Sequence, residues 1–214
     1  MAKLFFNYSS MNAGKSTVLL QTAHNYSEQG FSTLLLNYHS DKRDGQDGIL
    51  TPKNEDLIYG DKTTYISSRI GLSKQAHSFD NTTDILSVYN EFKAKNKNIG
   101  AILVDEAQFL TEKQVKDLSD IVDFEDTPVL CYGIRINFLG QPFIGSMWLM
   151  TWADEINEIK TVDDTGKKAT FVSRFDENGN VENINNHSDI VKIGGNSIYK
   201  SVSRKQWKEM VKEY

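Results

Sequence analysis

The chain has 214 residues, 39% of them hydrophobic, enough for one α/β unit with a small appendage. A formal net charge of −5 argues against a dedicated nucleic-acid binder, which carries a basic face. The single cysteine, Cys131, excludes an internal disulfide and a multi-cysteine metal site. The opening run Leu4-Phe5-Phe6 is too short for a signal peptide, and no apolar stretch approaches a transmembrane span, so a cytoplasmic protein is expected.

Leu4-Phe5-Phe6 reads as a strand, and Lys15 to Gln29 as a helix stopped by Gly30. Between them lies Asn7-Tyr8-Ser9-Ser10-Met11-Asn12-Ala13-Gly14-Lys15-Ser16. A strand, a tight loop and a helix opening on Gly-Lys-Ser is the setting of a phosphate-binding loop. Its backbone N–H groups and the helix N-terminus attract anions. Lys15 would hold phosphate oxygens, and the Ser16 hydroxyl would serve Mg²⁺. Ser9 stands at the motif's first glycine, so either the loop accepts serine in an ordinary conformation or the match is accidental.

Thr33 to Tyr38 reads as a buried parallel strand. Residues 41–65 are polar and without period, a long loop expected to be mobile without ligand. Ser67-Ser68-Arg69-Ile70-Gly71-Leu72 follows, with Arg69 either a phosphate contact or a solvated surface arginine. Asp84 to Lys95 carries a helical stripe of Ile85, Leu86, Tyr89 and Phe92. Ile99 to Val104 is a continuous apolar strand ending in Asp105-Glu106, the second element of a phosphate-loop nucleotide enzyme. Asp105 would face Ser16 and hold Mg²⁺ directly or through water.

Thr111 caps a helix running to Val122, and Pro128 to Gly133 is another buried strand, with Cys131 a small core side chain. The aromatic-bearing loop from Ile134 to Phe143 leaves that strand where ligands of open α/β sheets gather. Gly145 to Asp154 reads as a helix. Composition shifts near Glu158. A turn at 162–166, a strand over 168–175, a strong turn at 176–180 and a terminal helix from Arg204 follow. The expected fold is α/β, a phosphate-loop parallel sheet flanked by helices over 1–157, with a small β-rich unit over 158–214.

The residues alone leave the acceptor open. Glu106 could take a proton from water, giving a nucleotide hydrolase or nucleic-acid-associated motor, or from a substrate hydroxyl, giving a kinase. A non-catalytic nucleotide binder is a further alternative. Phe109, Phe138 and Phe143 could line a slot for a flat base or could be core packing.

Ser10-Met11-Asn12-Ala13-Gly14-Lys15-Ser16, Ser67-Ser68-Arg69-Ile70-Gly71, Val104 to Leu110, Pro128 to Gly133, Phe143-Ile144-Gly145-Ser146 and Ile193-Gly194-Gly195-Asn196 together resemble the type II thymidine kinases. The likeness runs from the N-terminus to Lys208 or beyond, broken mainly around residues 46–65, to which it gives no role. It implies transfer of the ATP γ-phosphoryl group to the thymidine 5′-hydroxyl, with Glu106 as general base. It places Ser9, Ser10, Met11, Asn12, Ala13, Gly14, Lys15, Ser16, Asp105, Gln108 and Arg69 around ATP, with Mg²⁺ held through Ser16 and Asp105. Met11, Phe109, Ile134, Phe138 and Phe143 would line the thymine pocket. A lasso through Lys192, Ile193 and Gly194, with Tyr199 packed beside it, would read the base through its backbone. The resemblance also implies a homotetramer and feedback by thymidine triphosphate, with no nucleic-acid or membrane partner.

The family's small unit is normally held by a zinc on four Cys/His ligands. Those positions fall here on Asp163, Thr165, Ser203 and Gln206, a poor donor set for that metal, so no zinc is expected.

Overall fold

The structure is a computed structural model and describes residues 1–39, 57–182 and 198–211. Its centre is a seven-stranded sheet. Strands β1 (Leu4–Ser9), β2 (Ser32–Tyr38), β3 (Thr63–Ser67), β4 (Ser73–Phe79), β5 (Ile99–Val104), β6 (Val129–Ile134) and β7 (Glu155–Glu158) stand in the order β3-β4-β2-β5-β6-β1-β7. All neighbours pair parallel except β3, which runs antiparallel to β4 at one edge.

Alternation along the strands splits the core between the two faces of the sheet. Leu34, Leu36, Ile102, Val104 and Cys131 pack on one face beneath α2 (Ile85–Lys95), α3 (Glu112–Glu125) and α4 (Ile144–Trp152). Leu35, Ala101, Leu103 and Tyr132 point to the other face and meet Leu19, Leu20 and Ala23 of α1 (Lys15–Glu28). Both faces are covered, which is why these strands read as unbroken apolar runs.

The helix starts follow local chemistry. Asp84 caps α2 by accepting from Ser87 N. Thr111 and Gln114 form a reciprocal capping box at α3. At the end of α1, Gly30 adopts φ +78°, a left-handed stop.

Three strands of this sheet went unread in the sequence, β3, β4 and the edge strand β7. β3 begins at Thr63, inside the stretch taken as loop, and residues 40–56 lie outside the described chain. β4 carries Gln75 and Ser78 as buried polar residues and shows no apolar alternation. It is a strand because β2 and β3 flank it.

Beyond β7 the chain makes two small sheets. β8 (Thr161–Val162) pairs with β9 (Lys168–Ala169), and β10 (Phe171–Arg174) pairs antiparallel with β11 (Tyr199–Val202). The stretch over 168–175 is thus two strands broken at Thr170. Helix α5 (Arg204–Val211) packs Trp207 against Phe171, ring centroids 5.1 Å apart. Among the described residues, no helix is long and apolar enough to cross a membrane.

Candidate active site

The phosphate loop leaves the C-terminal end of β1. Asn12 and Gly14 both adopt left-handed backbone, φ +59° and +85°, turning the chain into α1. Ser9 is the last residue of β1 and keeps an ordinary strand conformation, so serine is tolerated at the motif's first glycine. The first turn of α1 has no side-chain cap and no acidic residue, a helix start whose N–H groups suit an anion. Lys15 is buried, and its ammonium donates to Ser9 Oγ at 3.0 Å and to the Ser10 carbonyl at 3.1 Å. This set of an ammonium, a hydroxyl and an uncapped helix start fits a phosphate chain.

Ser16 Oγ donates to Asp105 Oδ2 at 2.7 Å, although the two residues are 89 apart in sequence. Asp105 is 1% exposed at the end of β5, and its other oxygen accepts from Glu106 N at 3.0 Å. A buried carboxylate paired with a half-buried hydroxyl beside a phosphate loop is a hard-oxygen donor set that suits Mg²⁺.

Glu106 has φ +51°, an unusual conformation for a residue with a side chain and a mark of local strain. The Gln108 amide and two closely approached glycines hold the turn there. Gln108 Nε2 donates to Glu106 Oε2, while Gln108 Oε1 accepts from Ile134 N at 3.1 Å. Gly133 leaves room for that amide, since a Cβ there would meet Gln108 Oε1 at 2.9 Å. Gly145 lets α4 lie against the turn Ala107–Phe109; a Cβ there would meet the carbonyls of Ala107 and Leu110 at 2.7 Å. The turn carrying Glu106 is thus fixed from β6 and from α4.

The other residues expected at the site divide. Phe109 stacks on Tyr38 at 4.4 Å and meets Phe143 edge-on at 5.7 Å, all three rings partly exposed. Phe138 does not join this group. It is 2% exposed, lies beneath the Arg174 guanidinium at 3.8 Å, and its carbonyl accepts from Trp207 Nε1 at 2.9 Å. Ile134 is anchored at both backbone ends, its carbonyl accepting from Ser146 Oγ at 2.7 Å. Met11 is held by its carbonyl, which accepts from Ser201 Oγ at 2.6 Å. Tyr199 lines a cleft of about 440 Å³ with Asn12, Phe175 and Ser201.

Arg69 is placed elsewhere. It is exposed in the turn joining β3 to β4, which feeds the N-terminal end of a strand parallel to β2. Phosphate loop, Asp105 and the Ile134 loop all follow C-terminal ends, at the opposite edge of the sheet. Gln108 reaches Glu106 and Ile134, the contacts described above. Lys192, Ile193 and Gly194 lie outside the described residues. Cys131 is fully buried and burial pushes its thiol pKa up, as suits a core side chain.

Asp163, Thr165, Ser203 and Gln206 do come together. Asp163 Oδ1 accepts from the Thr165 hydroxyl at 2.7 Å and from Thr165 N and Lys167 N at 2.9 Å, and Oδ2 accepts from Ser203 N at 3.2 Å. Ser203 Oγ accepts from Gln206 N at 3.4 Å, and Gln206 Nε2 donates to Asp164 Oδ1 at 3.1 Å. The Thr165 hydroxyl first, then the Lys167 N–H, hold the Asp163 carboxyl well below the usual range. Among the described residues, no group of three or more His, Cys, Asp or Glu is placed to hold a metal ion. With Asp163 saturated by N–H and O–H donors, the cluster does not fit zinc.

Sequence reasoning missed Gln108 as a support for Glu106, and also Arg174, the bond from Trp207 to the Phe138 carbonyl, and Ser201. The last three reach the site from the small unit across 36 to 190 residues, a separation that leaves no local pattern. The paired glycines Gly133 and Gly145 were the available signal for the crowded Glu106 turn.

A phosphate loop facing a strand that ends in a buried acid and a second, strained acid defines a nucleotide-binding enzyme of the phosphate-loop class. The thymidine kinase family model matches residues 2–58 and 54–207, and the chain belongs to that family. It is 43% identical over 212 residues to the thymidine kinase of Yersinia pseudotuberculosis, covering 99% of this chain and 97% of that protein. It is 42% identical to that of Salmonella typhimurium, covering 100% and 94%, and 43% identical to that of Xanthomonas campestris, covering 99% and 92%.

Proposed function

We propose that this chain transfers the γ-phosphoryl group of ATP to the 5′-hydroxyl of thymidine, with Glu106 as general base. The hydroxyl oxygen attacks the γ-phosphorus, its proton passes to the Glu106 carboxylate, and the bond to the bridging oxygen breaks to release ADP. The observation that supports this best is the braced Glu106 turn. A left-handed backbone and the Gln108 amide hold one carboxylate beside the Ser16–Asp105 pair. Such strain is kept where a side chain must be aimed.

Lys15 and the loop 9–14 would bind the triphosphate, and Ser16 and Asp105 would hold Mg²⁺, which when bound neutralises charge on the phosphate oxygens. Tyr38, Phe109 and Phe143 offer partly exposed rings as a slot for the flat base, with Met11, Ile134, Phe138 and Tyr199 around it in this reading. Lys192, Ile193 and Gly194 complete the clamp in this reading. The small unit needs no structural zinc: Asp163 gathers the hydrogen bonds that a metal would otherwise replace. Ile144, Met147, Met150 and Trp152 stand exposed along α4, an apolar surface that supports assembly into a homotetramer. Feedback by thymidine triphosphate follows from a ligand that carries both base and phosphates. A cytoplasmic setting belongs to the same reading.

The test is ATP-dependent formation of thymidine monophosphate, with Glu106→Gln as control. ATP turnover that needs no nucleoside and rises with DNA would favour a motor instead. Elemental analysis of purified protein tests the zinc reading, and sedimentation the tetramer.

A further inference from the structure

Two hydroxyls join the phosphate loop to the small β unit. Ser10 Oγ, with one proton to give, lies 3.0 Å from the Phe171 carbonyl and 2.8 Å from Ser201 Oγ. Ser201 Oγ donates in turn to the Met11 carbonyl at 2.6 Å. Phe171 belongs to β10 and Ser201 to β11, the two strands of one antiparallel pair. Both strands therefore grip residues 10 and 11 of the loop.

The same residue meets the ammonium at its other end. Lys15 Nζ donates to the Ser10 carbonyl, which also accepts from Ser9 Oγ at 2.6 Å. A phosphate oxygen entering the loop competes for that ammonium with charge-assisted bonds about twice as strong as neutral ones. Nucleotide entry thus reworks the hydrogen bonding at the Ser10 carbonyl, while the Ser10 hydroxyl carries the hairpin. On the hairpin side, Tyr199 lies two residues before Ser201 in β11, on the same face by strand alternation, and both line the cleft with Asn12.

We infer that Ser201 is a positioning residue that couples the nucleotide and nucleoside sites. The inference rests on the thymidine kinase reading of this site. A bound nucleotide takes up the backbone N–H groups of the loop and so fixes residues 10 and 11, even as it draws Lys15 away from the Ser10 carbonyl. Through Ser10 and Ser201 it also fixes the hairpin beside the nucleoside, so the second ligand meets a partner already ordered. The coupling is positive and, as a binding free energy, reciprocal.

Calorimetric titration tests this. Thymidine is titrated into the full chain alone and with saturating MgADP, which avoids turnover. In the native sequence MgADP tightens thymidine binding on the order of ten-fold. In Ser201→Ala the factor falls below about three-fold, and Ser10→Ala, which cuts the same link from the loop side, does the same. The double variant falls no further than either single one, as expected for one shared connection. Thermal unfolding of each variant with MgADP shows that it is folded and loaded. A coupling factor unchanged in both variants, or absent from the native chain, overturns the inference and leaves the kinase reading standing. Thymidine that never binds removes both.

Discussion

Ser16 Oγ and Asp105 Oδ2 lie 2.7 Å apart, which brings the first turn of α1, the helix that follows β1, to the end of β5 although β6 stands between those two strands. In the proposed mechanism the pair joins the phosphate-binding half of the site to the proton-accepting half, because Asp105 also receives the backbone N–H of Glu106. Asp105→Asn keeps an acceptor for Ser16 and removes the charge. Its unfolding temperature stays near that of the native chain, while kcat/KM for ATP falls about 10²–10³-fold, the scale of losing one electrostatic partner of the reacting phosphates. Raising Mg²⁺ recovers part of it. Loss of fold in this variant, or undiminished turnover, would count against the assignment.

Glu106→Gln removes the proton acceptor and keeps the shape. Its kcat falls by roughly 10²–10⁴-fold with little change in either KM. Gln108→Leu leaves Ile134 N unpaired and Glu106 unbraced, costing about 1–3 kcal/mol of stability. It lowers kcat more than it raises KM, which steady-state kinetics on both substrates will separate.

Gly145→Ala tests the crowding around that turn. The added Cβ would meet three backbone carbonyls at 2.7–2.8 Å, and backbone cannot swing aside as a flexible side chain can. The expected cost is about 1–3 kcal/mol in chemical denaturation, with a fall in kcat beyond that of an equally destabilising change far from Glu106. A fully active, fully stable Gly145→Ala protein would show that α4 does not set the turn.

Arg174 is fully buried, ion-paired with Glu182 through Nε and Nη2, and lies on the Phe138 ring. Glu182→Gln leaves that guanidinium without its countercharge and destabilises by about 3–5 kcal/mol. Because Arg174 and Trp207 together hold the Phe138 loop, thymidine KM rises while ATP KM stays close to native. Equal effects on both substrates would detach this pair from the nucleoside side.

Asp163 predicts a pH dependence. The folded state holds its carboxyl below the ordinary value, so the stabilisation is complete above about pH 4, the unfolded value, and is lost as pH falls through the folded one. Asp163→Asn therefore melts lower than the native chain at neutral pH, and the two curves converge in acid. Thermal unfolding between pH 7 and pH 2 reads this directly, and a constant gap across that range would deny the carboxylate its role.

The sequence by itself determined the nucleotide half of this protein. Lys15, Ser16 and Asp105 were legible because each sits at a fixed offset from a strand end or helix start, where local backbone geometry dictates residue type. The buried strands were legible because a sheet covered on both faces demands unbroken apolar runs. Only the tertiary structure decided the rest. β4 is a strand because its neighbours pair with it, not because of its own polar composition. Arg69 falls at the far edge because β3 runs antiparallel. Phe138 is buried under Arg174, and Gln108 braces Glu106. The Ser10–Ser201 link spans 191 residues, and such a contact is a property of how units pack, with no periodicity or motif to announce it.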